Sequence, residues 1–306
     1  MGPARNPMDA VGWVLAPWRA WVQARAGRWA SHEPLHSRRL MRIPSSLLSL
    51  LALGAACHCS PTNRPVPDAG GSVQEPVRRV AHIIREYPHA TNAFTQGLVF
   101  HQGHLFESTG HQGTLRQLSL ESAQPVWMER LGNIFAEGLA SDGERLYQLT
   151  WTEGLLFTWS GMPPQRERTT RYSGEGWGLC YWNGKLVRSD GGTMLTFHEP
   201  DGFALVGAVQ VKLRGQPVEL INELECANGV IYANIWHSSD VLEIDPATGT
   251  VVGVIDASAL TRAVAGQVTN PEAVLNGIAV EPGSGRIFMT GKLWPRLFEV
   301  RLDVVD

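Results

Sequence analysis

The sequence places acids, amides, a lysine and tryptophans at the starts and ends of one recurring phrase. The clearest copy, "EGLASDGERLYQLTW", begins with Glu137, a carboxylate directly before Gly-Leu where an ordinary strand would begin. A carboxylate among amide and ammonium donors can take a proton from one atom and return it to another. Aromatic walls around such a group suit the binding of a small polar substrate. These residue types therefore indicate acid–base chemistry, provided that the fold brings them together.

Five copies of the phrase determine the predicted fold. Each has a Gly-Leu-like start, a short strand, a Gly-containing turn and a second strand, and the spacings between copies are 41, 40, 46 and 53 residues. Further strand-like pairs lie between the copies, and four strands per repeat of about 40–50 residues are typical of a propeller blade. We predict an all-β fold, a five-bladed β-propeller in which an N-terminal strand, "VAHII", closes the last blade. A β-sandwich is the alternative, because its strands also recur at short, regular spacing.

The starts of propeller blades lie around one mouth of the axis, because the innermost strand of each blade lines that axis. The residues at these starts are Phe94, Gln96, Glu137, Glu175, Trp177, Asn222, Glu223, Glu225 and Asn276. The matching strand ends supply Trp151, Asp190, Asn234, Trp236, Lys292 and Trp294. Each has a structural alternative: a tryptophan can be core, Asp190 can serve only a turn, and Glu175 and Glu225 can pair with arginines on the rim. The convergence of all five copies favours a site.

Other classes of site find little support in the sequence. The chain carries a formal net charge of -3 with dispersed charges, which gives no electrostatic reason to expect nucleic acid. The histidines show no metal-ligand spacing, and there is neither a G-x-S-x-G elbow nor a phosphate loop. We therefore expect no cofactor and no metal.

The first 79 residues differ in composition from the rest of the chain. "MRIPSSLLSLLALGAACHCS", from Met41, has a basic start, a short apolar run and small residues before Cys57, which is typical of a secretory signal peptide. We predict a leader over 1–59, in which 1–40 result from a mis-assigned start and 41–57 form the signal peptide. A disordered linker over 60–79 and a catalytic domain over 80–306 follow. A genuine cytoplasmic N-terminal extension with a buried helix is the alternative.

The cysteines bear on the compartment. Cys57 follows "LGAA", which resembles a bacterial lipoprotein processing site, with plain cleavage as the alternative. We expect an exported protein: periplasmic, anchored to the membrane through a lipidated Cys57, or secreted. Cys180 and Cys226 are the only cysteines in the predicted domain, and an exported protein can pair them. We expect two separate buried thiols, because nothing in the sequence brings their Cα atoms close.

Seven segments in series carry a resemblance to a known family. They are "PHATNAFTQGLVF", "FAEGLA", "EGWGL", "INELE", "ANIW", "LNGIA" and "TGKLWPRLFEV", in order over roughly residues 80–302. Together they resemble the plant and bacterial type of glutaminyl-peptide cyclotransferase, also called glutamine cyclotransferase. The resemblance implies a five-bladed β-propeller without a metal or other cofactor. It also implies the cyclisation of N-terminal glutaminyl residues of peptides or proteins to pyroglutamyl, with release of ammonia.

The resemblance further implies roles for individual residues. Glu137 falls at the family's catalytic acid/base, and the substrate-binding positions fall on Phe94, Gln96, Trp151, Trp177, Asn222, Trp236 and Lys292. Ala136 departs from the pattern, since family members carry a bulkier residue such as Met there. The chemistry agrees with these roles. The substrate's α-amine must lose a proton and the leaving nitrogen must gain one, and one buried carboxylate of raised pKa can do both.

Two other functions remain open at this point. A propeller can bind peptides or partner proteins without catalysis, although Glu137 speaks against a pocket that lacks a free acid. A metal-dependent propeller hydrolase of the lactonase kind could use Glu137, Asn222 and Asn276 as ligands. The expected partners are peptides or proteins with N-terminal Gln, without nucleic acid, and we expect a monomer.

Overall fold

The computed structural model describes residues 75–305. The predicted leader, with Cys57, and the predicted linker up to residue 74 lie outside the described residues. The first strand begins at Val77, so the folded part starts before the predicted boundary at residue 80. Residues 77–79 belong to a strand rather than to a linker because they pair with residues 253–255 of another strand.

Strands dominate the described part of the chain, which also contains one short helix. The first half of the described part forms β1 (Val77–Pro88), β2 (Thr95–His101), β3 (His104–Thr109), β4 (Thr114–Gln117), β5 (Trp127–Arg130), β6 (Ala136–Ser141), β7 (Arg145–Thr150), β8 (Leu155–Ser160), β9 (Gln165–Arg171), β10 (Leu179–Trp182) and β11 (Lys185–Arg188). The second half forms β12 (Met194–His198), β13 (Leu205–Gln210), β14 (Lys212–Leu213), β15 (Gln216–Pro217), β16 (Ile221–Ala227), β17 (Val230–Ile235), β18 (Asp240–Ile244), β19 (Val251–Asp256), α1 (Ser258–Val264), β20 (Leu275–Val280), β21 (Ile287–Gly291) and β22 (Arg296–Val304). No helix within residues 75–305 is long and apolar enough to cross a membrane.

The strands pair mostly with their neighbours in sequence. Three antiparallel sheets hold four strands each, in the orders β2-β3-β4-β5, β6-β7-β8-β9 and β10-β11-β12-β13. A larger sheet has the order β16-β17-β18-β19-β1-β22-β21-β20, and β14 pairs with β15. The prediction of an all-β fold is confirmed.

Tight turns form the hairpins where the sequence places Asn-Gly. Asn183 and Gly184, between β10 and β11, have φ values of 46° and 80°. Asn228 and Gly229, between β16 and β17, have φ values of 53° and 83°. Positive φ at both central residues is the geometry of the type I′ turn, which Asn and Gly adopt with little strain. The strand pair predicted for each copy of the phrase is present: β2 with β3, β6 with β7, β10 with β11, β16 with β17, and β20 with β21.

The N-terminal strand pairs with the last strand of the chain. β1 runs antiparallel to β22, with Arg79 opposite Val304 and Pro88 opposite Arg296, as the sequence predicts for "VAHII". The start of β1 also pairs in parallel with β19, where Val77 lies opposite Gly253. β1 thereby joins two groups of strands into the eight-stranded sheet and covers an edge of each.

The strands that begin the five copies lie beside one another. β2 contacts β6, β6 contacts β10, β10 contacts β16, and β16 contacts β20, which in turn contacts β2. Glycine permits this close approach. A Cβ on Gly138 would lie 2.4 Å from the backbone N of Leu179, and one on Gly178 would lie 2.1 Å from the backbone O of Asn222. The polar residues at the starts of these strands are therefore brought together.

Apolar side chains fill the space between neighbouring sheets. Val99 and Phe106, from the sheet of β2, pack with Leu139, Phe157 and Trp159, from the sheet of β6. Complete burial of a large apolar side chain contributes roughly 1.5–3 kcal/mol. This apolar packing fixes each sheet relative to its neighbour, so that the first strands of the sheets come into contact.

Cys180 and Cys226 form a disulfide bond, which corrects the expectation of two separate buried thiols. Cys180 lies in β10 and Cys226 in β16. Their Cα atoms are 5.4 Å apart, within the range that a disulfide requires. This proximity results from the packing of β10 beside β16 and not from any local sequence pattern.

Candidate active site

Glu137 lies in β6 and is buried, with 4% of its surface exposed. Its Oε1 accepts a hydrogen bond of 2.8 Å from Nε2 of Gln96, which comes from β2. Its Oε2 is also buried and accepts no hydrogen bond from any residue within 75–305. One carboxylate oxygen is thus held by the protein, while the other can exchange a proton with a substrate.

The surroundings of Glu137 raise its pKa. Burial raises the pKa of Glu137 well above its usual range, because the charged form loses its hydration. The ammonium of Lys292 and the hydrogen bond from Gln96 oppose this rise, whereas the carboxylates of Glu175 and Glu153 add to it. Burial outweighs the neighbouring positive charge. A carboxyl group whose pKa is raised by burial can act in turn as a base and as an acid.

Lys292 supplies a positive charge that acts on this acid. It directly follows β21 and is 3% exposed. Its Nζ lies 5.0 Å from the ring centroid of Phe94, a distance at which the ring stabilises the cation. Burial lowers the pKa of Lys292 to about 8, although the charge of Glu137 acts in the opposite direction. Burial and the charge of Lys292 also lower the pKa of both His111 and His237, so these imidazoles are held neutral beside the ammonium.

Aromatic rings extend from Lys292 toward the second sheet. The rings of Phe94 and Phe135 are 5.9 Å apart, and those of Phe135 and Trp151 are 5.6 Å apart. His111 packs edge-on against Phe94, with centroids 4.5 Å apart. Offset and edge-to-face contacts of this kind are the favoured geometries of aromatic pairs. Phe94 and Trp151, both predicted site residues, thus belong to one row of rings.

A second pair of rings continues the aromatic surface. Trp177 and Trp236 meet edge to face, with centroids 6.0 Å apart and an interplanar angle of 90°. Glu175 connects this pair to Trp151, because its Oε2 accepts hydrogen bonds of 2.9 Å from the Nε1 of both Trp151 and Trp177. Three of the predicted tryptophans are therefore linked: Trp151 and Trp177 through Glu175, and Trp236 through its contact with Trp177. The sequence places Glu175 at a blade start, with an ion pair on the rim as the alternative.

Two asparagines complete the polar part of the site. Asn222 is the second residue of β16 and is 2% exposed, and its buried Oδ1 accepts no hydrogen bond from any residue that the structure describes. Asn276, in β20, donates from Nδ2 to the backbone O of Thr95 at 2.9 Å and to Oε1 of Gln96 at 3.2 Å. Asn276 therefore orients the Gln96 amide toward Glu137, whereas Asn222 offers an unpaired polar atom.

Several residues of the predicted axis mouth have structural roles instead. Trp294 is fully buried, and its Nε1 donates to the backbone O of Ala273, so it belongs to the core. Asp190 accepts the backbone N–H of Gly192 and so serves the turn that follows β11. These contacts agree with the structural alternatives given above for a tryptophan and for Asp190.

Two buried acids in β16 bind backbone amides. The oxygens of Glu223 accept from Leu98 N at 3.2 Å and Ile278 N at 3.0 Å, so this residue connects β2, β16 and β20. Glu225 accepts from Val280 N at 2.8 Å rather than pairing with a rim arginine, and burial raises its pKa to about 8. Within residues 75–305, no group of three or more His, Cys, Asp or Glu side chains is arranged to hold a metal ion.

The sequence interpretation missed Phe135 and His111 as site residues. Both carried a usable signal. Phe135 precedes Glu137 in the phrase "FAEGL", and His111 follows β3 much as Trp151 follows β7. His237 follows Trp236 and packs on its ring, with centroids 4.3 Å apart. Residues adjacent to a predicted site residue thus complete the aromatic wall.

Two comparisons relate the chain to known proteins. Residues 50–302 match the protein family described as glutamine cyclotransferase. A protein of Arabidopsis thaliana named glutaminyl-peptide cyclotransferase is 35% identical over 225 residues, which are 72% of this chain and 70% of that protein. The family match spans all the predicted site residues, from Phe94 to Lys292. This chain therefore belongs to the glutamine cyclotransferase family.

Proposed function

We propose that this protein converts N-terminal glutaminyl residues of peptides or proteins to pyroglutamyl residues and releases ammonia. Family membership supports this activity, and the state of Glu137 carries it. Glu137 is a buried carboxyl of raised pKa with one oxygen held by Gln96 and the other without a hydrogen bond within residues 75–305. Glu223 differs from Glu137, because each of its oxygens accepts a backbone N–H.

The proposed reaction needs one proton to move twice. The substrate's α-amine nitrogen attacks the δ-carbon of its own side-chain amide, and Glu137 Oε2 accepts the proton that the amine loses. The C–N bond that forms closes a five-membered ring. Glu137 then gives the proton to the former amide nitrogen, the bond from the δ-carbon to that nitrogen breaks, and ammonia leaves. Glu137 ends the cycle ionised, as it began.

Negative charge develops on the substrate's carbonyl oxygen during the attack. The ammonium of Lys292 interacts with Glu137, and with a pKa of about 8 it is largely protonated at neutral pH. A preorganised cation in a buried site stabilises such a charge strongly. Gln96 is less suited to this role, because its amide carries no charge and is fixed by its bonds to Glu137 and Asn276. We therefore assign Lys292 to the oxyanion and Gln96 to the orientation of the base.

The aromatic row would hold the substrate side chain in a curled conformation. Ring closure is intramolecular, so confining the amine and the amide carbon near each other supplies a large share of the acceleration. Trp151, Trp177 and Trp236 offer rigid faces with little conformational entropy to lose. Asn222 Oδ1, which is buried without a partner among the described residues, is suited to accept an N–H from the substrate.

We propose that the sheets form a five-bladed propeller. When β1 is grouped with β20, β21 and β22, residues 75–305 contain five groups of four strands beside the small β14–β15 pair. Contacts between the first strands of consecutive groups, and between β20 and β2, support a closed ring. Such a ring places the starts of its innermost strands around one mouth, where Gln96, Glu137 and Asn276 meet.

We also propose that the protein is exported. The Cys180–Cys226 disulfide supports this location, because disulfides persist mainly in oxidising compartments. The predicted signal peptide and the lipidation of Cys57 lie outside the described residues and stay predictions. Mass spectrometry of the mature N-terminus would identify a diacylglycerol on Cys57, plain cleavage, or an uncleaved chain.

The activity is tested by incubating the purified protein with a Gln-initiated peptide and measuring its mass over time. We expect the loss of one ammonia, and the same peptide beginning with Asn serves as the control. Glu137→Gln keeps the volume and the acceptor for Gln96 but removes the base, so its rate should fall by about 10²–10⁴-fold. Its thermal unfolding midpoint should stay close to that of the unmodified protein.

Two results would overturn the proposal. One is an unmodified protein that leaves the Gln peptide unchanged, and the other is a folded Glu137→Gln variant with full activity. A measurement in the presence of a chelator tests the alternative of a metal-dependent hydrolase. Cyclisation that persists in EDTA excludes a metal-dependent reaction, whereas activity that disappears and returns with a divalent metal would favour it.

A further inference from the structure

One carboxylate oxygen binds two indoles from different sheets. Glu175 lies in the loop between β9 and β10, and its Oε2 accepts from Trp151 Nε1 and from Trp177 Nε1, each at 2.9 Å. Trp151 follows β7 of the second sheet, while Trp177 precedes β10 of the third. The two rings therefore have a common anchor although their backbones belong to separate sheets.

This arrangement restricts the angle between the rings more than packing alone would. An indole N–H is a donor only, and a hydrogen bond to a carboxylate is shorter and stronger than one to a neutral acceptor. Two donors on the same oxygen must approach it from different directions, so each ring limits the rotation of the other.

The backbone around Glu175 ties the pair to the base. Gly176 N donates to the backbone O of Trp151 at 3.0 Å, and Gly138 N donates to the backbone O of Trp177 at 2.7 Å. Gly138 directly follows Glu137, so a shift of the backbone at Trp177 would also move β6, the strand that carries Glu137. Side-chain and backbone contacts thus locate both rings relative to Glu137.

We propose, on the basis of the proposed function, that Glu175 is a positioning residue that holds Trp151 and Trp177 as two walls of the glutaminyl-binding site. It does not contact the reacting atoms. Its loss should weaken substrate binding, because the rings would sample other orientations and lose part of their preorganisation.

The charge of Glu175 has a second effect, on the pH dependence of the reaction. The groups that face Glu137 are Lys292, Glu175, Glu153 and Tyr172, beside the uncharged Gln96. The negative charge of Glu175 raises the pKa of Glu137. Replacing Glu175 by a neutral residue should therefore lower that pKa, and the acid limb of the kcat/KM profile should move to lower pH.

A control variant separates the effect of the hydrogen bonds to the two indoles from the effect of the negative charge. Glu153 also raises the pKa of Glu137, but its Oε1 accepts from the backbone N of Phe135 at 3.0 Å and not from an indole. Glu153→Gln should move the acid limb in the same direction as Glu175→Gln. Its KM on the pH plateau should stay within about twofold of the unmodified protein, since both indoles keep their acceptor.

The experiment compares Glu175→Gln and Glu175→Ala with this control on one Gln-initiated peptide. Loss of charge-assisted hydrogen bonds should raise KM about tenfold or more in Glu175→Ala, with kcat changed less than KM. Glu175→Gln should be intermediate, because its side-chain oxygen still accepts an N–H. Thermal unfolding midpoints identify any variant that fails to fold. If Glu175→Ala does not fold, the KM of Glu175→Gln tests the proposal.

A second readout is independent of activity. The ¹⁵N-indole resonances of Trp151 and Trp177, assigned from Trp151→Phe and Trp177→Phe, should shift in both Glu175 variants and stay unchanged in Glu153→Gln. Unchanged indole resonances in Glu175→Ala would overturn the inference. So would shifted resonances with an unchanged KM, or a KM rise that Glu153→Gln reproduces. If the unmodified protein does not cyclise the peptide, the proposed function fails, and the indole resonances alone decide whether Glu175 holds the two rings.

Discussion

Breaking the Cys180–Cys226 disulfide should destabilise the domain substantially. The two cysteines that the bond joins are 46 residues apart in the sequence. For a loop of this length, the chain-entropy relation gives about 13 cal/mol/K, or about 4 kcal/mol at 25 °C. A domain of this size shifts its thermal midpoint by about 2–4 °C for each kcal/mol. Reduction should therefore lower the midpoint by about 8–16 °C.

The measurement follows thermal unfolding at one fixed scan rate, because irreversible unfolding makes the midpoint depend on the rate. Oxidised and reduced protein are compared with the double variant Cys180→Ala/Cys226→Ala. The reducing agent should leave the midpoint of the double variant unchanged, which controls for Cys57 and Cys59 and for the reagent itself. A non-reducing peptide map must show the peptide of Cys180 linked to that of Cys226.

Two findings would refute this reasoning in different ways. Recovery of Cys180 and Cys226 as free thiols from protein kept under oxidising conditions would mean that the bond is not formed. A linked pair whose reduction moves the midpoint by less than about 2 °C would contradict the entropy calculation. In that case the segment between β10 and β16 would already be constrained in the unfolded ensemble.

Two further predictions concern the packing of the first strands and the charge beside the base. Gly138→Ala should lower the free energy of unfolding by about 1–3 kcal/mol, because its Cβ would lie 2.4 Å from Leu179 N, whereas Gly266→Ala, whose Cβ would meet nothing within 4 Å, should not. Denaturant unfolding of both variants checks this, and equal stabilities would contradict the close approach of β6 to β10. Lys292→Met should move the acid limb of the kcat/KM profile to higher pH, because loss of the ammonium removes an influence that lowers the pKa of Glu137. The kcat/KM profiles of both proteins are measured with the same peptide, so that ionisation of the substrate amine contributes equally to both. An acid limb that stays in place or moves to lower pH would refute the assignment.

The hairpins could be predicted from sequence because their determinants are local. Asn183-Gly184 and Asn228-Gly229 accept positive φ wherever they occur, so they mark turns without knowledge of the rest of the fold. Recurrence of the same phrase then identified Glu137, since a carboxylate at a strand start is unusual only when compared with the other copies. The hydrogen bond from Gln96 to Glu137 joins the starts of two consecutive copies, as the repeat implies.

The features that sequence did not predict depend on contacts between distant segments. The parallel pairing of β1 with β19, the disulfide between β10 and β16, and the shared acceptor of Trp151 and Trp177 each join parts of the chain that no local pattern relates. Glu175 illustrates the difficulty. The sequence shows a carboxylate at this position. A carboxylate can pair with an arginine on the rim or accept hydrogen bonds from two indoles, and only the positions of the neighbouring side chains distinguish the two roles.

Burial decides the protonation chemistry of the Glu137–Lys292 pair. Attraction between the two charges alone would lower the pKa of Glu137 and raise that of Lys292, yet both shifts have the opposite sign. The cost of desolvating two charges therefore exceeds their attraction, and the two pKa values approach each other. In the proposed reaction, the proton that reaches Glu137 leaves negative charge on the substrate's carbonyl oxygen instead. The ammonium of Lys292 then balances that oxygen as it balanced the carboxylate, so the net charge of the buried site does not change during the attack. The same burial that makes an isolated charge costly thus favours a step in which negative charge only moves from one partner of Lys292 to another.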